Sequence, residues 1–233
     1  MSEHDDGGAA ARARQTEIAL GLRKRDDFAQ PLGTVAGFDA RFDDDGRIAR
    51  VAVVLLDADT LQVLDERIVE AAVALPGLDA PDLLGIRALP ALCEALARLP
   101  RRPDLAFVAG HGIAHPRRLG IAAHFGITAD LPSIGVADAA LLGTAAALHE
   151  IRGAHTPLRD HGEHVGWLLR SAPGREPLVV SPGHRVSMTA AAQLVMRYVT
   201  SGRLPEPIRL AARLAATRDA AHDAIGDAGK RDG

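Results

Sequence analysis

The order of the apolar runs limits what this chain can fold into more than any single residue does. Between Thr34 and Val73 three segments follow one another: TVAGFDARF, RIARVAVVLLDADT and LQVLDERIVEAAV. Each is rich in apolar and β-branched residues. The breaks between them, DDDG the clearest, are too short for a crossover helix, so the three predict an antiparallel meander. The pattern then changes. Between Pro81 and Leu99, Leu83, Leu84, Leu89, Leu92, Leu96 and Leu99 form a helical stripe. The strand LAFVA follows, then a helix expected from about Pro116, then strands PSIGVA, HVGWLLRS and PLVVSPG. The segment SMTAAAQLVMRYVTS reads as a helix with Ser187 as its cap, and RLPEPIRLAARLAATRDA as a last helix. An earlier helix is expected over Arg12–Asp27, with Ile18 and Leu22 on one face. A meander followed by alternating helices and strands predicts one α/β domain, a mixed sheet flanked by helices. Residues 12–219 are assigned to it, with a disordered tail at 1–11 and a flexible one at 220–233.

Composition narrows the function. The chain has 233 residues, 47% of them hydrophobic, which is enough for a substantial core. Its formal net charge of −3 gives no overall basic field, so any nucleic-acid binding must use a local patch. Cys93 is the single cysteine, which excludes an internal disulfide and a cysteine zinc cluster. Aromatics are 3% of residues, too few for a general single-strand stacking platform. No signal-type leader and no apolar run of about 18 residues is present. The expectation is a soluble, cytoplasmic, monomeric protein with no membrane association.

The stretch from Leu105 to Gly126, LAFVAGHGIAHPRRLGIAAHFG, is the densest in chemistry. A buried strand breaks at glycines, and two histidines and two adjacent arginines follow. That combination describes the rim of a phosphate or base site. Yet the strand's end, where open α/β sheets present functional groups, is Ala109.

Several segments together resemble endonuclease V, a magnesium-dependent endonuclease of the ribonuclease H-like fold that cleaves beside inosine. They are VAGFDARF, IRALPAL, LAFVAGHGIAHPRRLGIAAHFG, LPSIGVA, SPGHRVS and RLPEPIRLA, spanning Val35 to Ala211. The resemblance implies a ribonuclease H-like mixed sheet and a cluster of carboxylates around Mg²⁺, which would activate water and neutralise phosphate charge. It also implies where those groups fall. Asp39 matches the first carboxylate. Ala88, in IRALPAL, stands where the family pattern has glutamate, and Ala109, in AGHG, where it has aspartate. His184, in GHRVS, matches a histidine expected beside the metals. Asp138 replaces a lysine after IGVA. Leu78, Asp79, Ala80 and Pro81 replace a wedge containing tyrosine. Gly110, Gly112, Gly120, Ile121, Gly135 and Leu141 match positions around a pocket for a flipped base. His111, His115, Arg117 and Arg118 belong to the same block, the last three as phosphate contacts, with Arg118 and Arg185 alternatively pinning strand ends.

Three readings follow from this pattern. In the first, the chain has lost metal-dependent cleavage and retains binding of inosine-containing DNA or RNA. One carboxylate and one histidine form a poor site for a hard cation, so no cofactor is expected. In the second it remains a nuclease, with Mg²⁺ or Mn²⁺ at a rebuilt site of Asp39, Asp138 and His184. In the third it is a scaffold for a protein partner. Plainer roles compete at each position: Asp39 can simply hold Arg41, His184 can be a satisfied core histidine, and His155, His161 and His164 can be solvated loop residues. The spacing of His111 and His115 hints at zinc, but the intervening GIA is not clearly helical.

Overall fold

Strand β1, Thr34–Phe42, alternates its side chains between two cores. Val35 points into one cluster, with Phe107, Tyr198 and Ile208. Ala36 and Phe38 point into the other, with Ala88, Leu92, Val108 and Phe125. This period of two places β1 inside a sheet covered on both faces. The computed structural model describes residues 3–73 and 79–216.

The expected meander forms. Strand β2, Ile48–Asp57, pairs antiparallel with β1 and with β3, Val63–Ala72. Helix α2, Leu84–Ala97, preceded by a short turn of 3₁₀ helix at Pro81–Leu83, carries the leucine stripe. Strand β4, Leu105–Ala109, lies parallel to β1, and β5, Ser133–Ala137, parallel to β4. Helix α3, Ile121–Thr128, joins β4 to β5. Strands β6, His155–Asp160, and β7, Glu163–Leu169, form a hairpin, and β8, Leu178–Pro182, runs antiparallel to both β5 and β7. Helix α4, Met188–Tyr198, is capped by Ser187, whose Oγ accepts from the Ala190 N–H. Residues 206–216 form helix α5. Among the described residues the sheet order is β3-β2-β1-β4-β5-β8-β7-β6. Helices α2 and α3 cover one face; α4 and α5 cover the other.

Three local expectations are corrected. Helix α1 occupies Glu3–Ala19, over most of the segment read as a tail. Its alanine-rich sequence favours helix, and contact with the body of the protein anchors it. Gln15 is fully buried and Arg12 Nε meets Asp82 Oδ2 at 2.9 Å. The helix stops at Ala19 rather than at Asp27. Helix α3 starts at Ile121 rather than near Pro116, because Arg118 takes a left-handed φ of 57° and its N–H closes a turn on His115 O at 2.8 Å. Strand β6 falls where a histidine-rich loop was expected. It is an edge strand carrying Pro157 and polar residues, which masks the usual strand signature. The tail assigned to 220–233 and wedge position Leu78 lie outside the described residues.

Candidate functional site

The parallel strands β1, β4 and β5 point their C-terminal ends the same way, and Asp39, Ala109 and Asp138 lie at those ends. Asp39 and Ala109 each follow the last paired positions of the β1–β4 ladder, Phe38 and Val108. They therefore stand next to each other on adjacent strands. Gly37 lies directly under α5, since a Cβ there would reach 2.0 Å from Pro207 O. By the two-residue period, Gly37, Asp39 and Arg41 share this α5 face. Ala109 packs with the same face's core.

The Asp39 carboxylate is 14% exposed and is engaged by Arg41, whose Nε lies 3.2 Å from Oδ2. Arg41 Nη2 also donates to Ala212 O at 3.2 Å. The plainer alternative for Asp39, a partner to Arg41, is thus the contact that forms. Ala88 is fully buried on α2, on the other face of the sheet, among Ala36, Phe38 and Val108. Neither alanine offers an oxygen. Among the described residues no group of three or more histidine, cysteine or acidic side chains could hold a metal ion. The donor set does not fit Mg²⁺, which takes several oxygens.

The rebuilt site of Asp39, Asp138 and His184 does not assemble. Asp138 lies just beyond β5, two strands from β1, and two strand spacings are roughly 10 Å. Its carboxylate is 79% exposed and pairs with Arg203 Nη1 at 2.5 Å. Arg203 is tied down further by Glu176 O at 2.6 Å and Pro177 O at 3.0 Å. His184 sits at the opposite end of the sheet. Strand β8 is antiparallel to β5, so Pro182 pairs with Ile134 near the start of β5, and His184 follows it. There it is a satisfied, buried histidine. Its Nδ1 accepts from the Arg23 N–H at 3.3 Å, its N–H donates to Ser133 Oγ at 3.0 Å, and Nε2 lies 3.4 Å from Asp130. Burial lowers its pKa. Conserving the motif's letters did not reveal which end of the sheet the motif occupies.

The glycine block is brought together. Gly110 takes a φ of 127° that a side chain would resist, and Ile121 packs over it. A Cβ at Gly112 would approach Pro182 O to 2.1 Å, and one at Gly135 would approach Gly112 N to 2.3 Å. The Gly120 N–H donates to Gly112 O at 2.9 Å. These residues press the β4–α3 loop backbone against β5 and β8. Leu141 is half-buried in the loop after β5. The basic and imidazole groups of the block are each engaged by partners within the chain. His111 Nε2 bonds Ala139 O at 2.9 Å, and burial lowers its pKa. His115 is 2% exposed, its Nε2 bonds Asp82 O at 2.9 Å, and burial pushes its pKa down to about 4. Arg117 binds Gln15 Oε1 at 2.6 Å and Asp82 Oδ2 at 2.5 Å. Arg118 binds Glu163 and Asp160, each at 2.8 Å. His111 and His115 thus face different carbonyls rather than one ion.

Asp82 is the residue the sequence reading missed. It joins Arg12, Arg117 and the backbone contacts of Gln15 and His115 into one knot. Hydrogen bonding to Arg12 and Arg117 holds its carboxyl at about 2. Its only sequence signal was an acid at the mouth of α2.

A parallel centre flanked by a β1–β3 meander, with an aspartate midway along the first strand, defines a ribonuclease H-like domain. Residues 16–213 match the Endonuclease V family, and the chain belongs to it. It is 53% identical to Endonuclease V of Azotobacter vinelandii, over 94% of this chain and 97% of that one. It is 49% identical to Endonuclease V of Xanthomonas campestris pv. campestris, over 92% of this chain and 90% of that one. Among solved structures, Endonuclease V of Streptomyces avermitilis superposes with a TM-score of 0.84 at 35% identity, covering 93% of this chain and 94% of that one. Endonuclease V of Ciona intestinalis, bound to DNA containing an inosine, shares the fold at a TM-score of 0.75 and 22% identity, covering 91% and 98%.

Proposed function

We propose that this protein is an Endonuclease V family member that has lost metal-dependent phosphodiester cleavage and binds nucleic acid carrying a deaminated base. One observation carries the loss of cleavage: Ala109 stands beside Asp39, and the guanidinium of Arg41 lies against the one remaining carboxylate. A two-metal displacement needs several oxygens around the scissile phosphate, and this floor supplies one carboxylate. The binding half rests on the close-packed β4–α3 glycine loop and on the inosine DNA bound by the Ciona protein of the same fold. A backbone wall of this kind reads a flipped base through its N–H and C=O groups and needs no metal. No phosphate clamp is free in the block, since His115, Arg117 and Arg118 are committed to internal partners. The reading therefore expects weak, base-dependent affinity.

The test pairs two assays on the purified protein. Inosine-containing DNA and RNA strands in Mg²⁺ or Mn²⁺ are expected to stay intact. A titration is expected to show several-fold tighter binding to inosine than to adenosine strands. Cleavage that disappears in Asp39→Ala would overturn the loss of chemistry. Equal, negligible affinity for both strands would overturn base recognition and favour a scaffold.

A further inference from the structure

Helices α1, α2 and α3 enclose a cleft of about 700 Å³ on the side of the molecule away from α5. Its walls are largely apolar: Ile18 from α1, and Ile86, Leu89 and Pro90 from α2. Its size is that of a small-molecule site. Arg14, His124 and Thr128 interrupt the apolar lining. His124 of α3 is 4% exposed, and its Nδ1 has no hydrogen-bond partner. Buried ring nitrogens are nearly always paired, so this unpaired one lacks the partner such an atom usually has. Burial pushes the ring's pKa down to about 4, so it is neutral at pH 7 and can donate at Nδ1. Arg14 of α1 lines the same cleft and is exposed. Among the described residues its guanidinium has no acidic partner.

We propose that this cleft binds a small amphipathic carboxylate, with its apolar body between Ile18, Ile86 and Leu89 and its carboxylate on Arg14 and the Nδ1–H of His124. The charge complement decides the class. One cation beside neutral donors matches a single carboxylate, whereas a polyanion would meet mostly apolar wall. A purely apolar ligand would leave Nδ1 unpaired. The site is separate from Asp39 and stands or falls independently of nucleic-acid binding.

Cys93 also lines the cleft and is the chain's single cysteine, so its reactivity reports occupancy without a label. The experiment uses octanoate as probe and octanol as its neutral counterpart. It measures calorimetric affinity and the rate of Cys93 modification by N-ethylmaleimide. Octanoate is expected to slow modification at least fivefold at saturation. Octanol, Arg14→Gln and His124→Phe are each expected to weaken binding at least fivefold. Arg14→Gln changes an exposed side chain and tests the site even if His124→Phe disturbs folding. Absence of binding and protection by octanoate would overturn the proposal. So would equal affinity of octanol, or octanoate affinity unchanged in both variants.

Discussion

Asp39 and Ala109 stand side by side on adjacent parallel strands, each one residue beyond the Phe38–Val108 pair. A carboxylate restored at position 109 would face Asp39 across a single strand spacing, about 4.8 Å. Two such groups repel when both are ionised, and an ion between them relieves the repulsion. Ala109→Asp is therefore expected to lose about 1 kcal/mol of stability in chelator and to regain it in millimolar Mg²⁺ or Mn²⁺. The parent should show no metal dependence. Thermal unfolding with and without metal checks this, and a metal-dependent gain in the parent would show that Asp39 already holds an ion.

Asp138 and Arg203 form a charged contact just beyond β5, but the two sides of the pair are not equivalent. The Asp138 carboxylate is 79% exposed, so its contribution to the pair is small. Arg203 also donates to the Glu176 and Pro177 carbonyls. Asp138→Asn should cost less than about 0.5 kcal/mol, and Arg203→Ala about 1–2 kcal/mol. Urea unfolding of both variants separates them, and equal losses would contradict the asymmetry.

The fold was readable because its signals are local. The turn at DDDG, the leucine stripe of α2 and the apolar run LAFVA each specify an element without help from the rest. The site was readable only in part. Asp39 and Ala109 meet because β1 and β4 are parallel neighbours. His184 went astray because direction in the sheet is a tertiary property, and the antiparallel course of β8 carries it to the far end. The Asp82 knot was invisible for a similar reason. Arg12 and Arg117 lie 70 and 35 residues from it in the chain, and no period or motif links them. Strand β6 was missed because an edge strand with proline and charge reads like a loop.

The glycines of the β4–α3 block are required for packing whether or not a base is bound. A methyl group at position 112 would meet the backbone of Pro182, which cannot swing aside as a side chain can. Gly112→Ala is expected to cost more than about 3 kcal/mol or to prevent folding. Gly153→Ala has open space around the new Cβ but a φ of 87°, so only backbone strain of about 1 kcal/mol is expected. Chemical denaturation of the two variants gives the comparison. A mild loss at Gly112 would mean that the loop can move off β8.

Asp82 makes stability fall at low pH. Its carboxyl is held at about 2 by hydrogen bonds to Arg12 and Arg117, against 3.8 for the free group. A depressed acid contributes stability that is complete above about pH 4 and is lost as pH falls through about 2. A shift of this size corresponds to about 2 kcal/mol, which solvent screening of the partly exposed knot reduces to roughly 1 kcal/mol. Asp82→Asn should lower stability at pH 7 by that amount and flatten the profile between pH 4 and 2. A parallel profile for parent and variant would remove the knot from the account.

His115 and His124 act higher on the pH scale. Both are nearly fully buried, and burial pushes both pKa values down to about 4, from 6.5 for the free ring. Below pH 6.5 the unfolded chain takes up these two protons while the folded chain refuses them. Stability is therefore complete above pH 6.5 and falls as pH drops toward 4, by up to roughly 3 kcal/mol for each ring. The protein is expected to become markedly less stable between pH 6.5 and 4. His115→Gln keeps a donor for Asp82 O without a titrating ring, and should remove one of these proton uptakes. Urea midpoints at half-unit pH steps measure the slope. An unchanged slope in His115→Gln would place the ring's proton, and with it the burial of the β4–α3 turn, somewhere other than where the fold puts it.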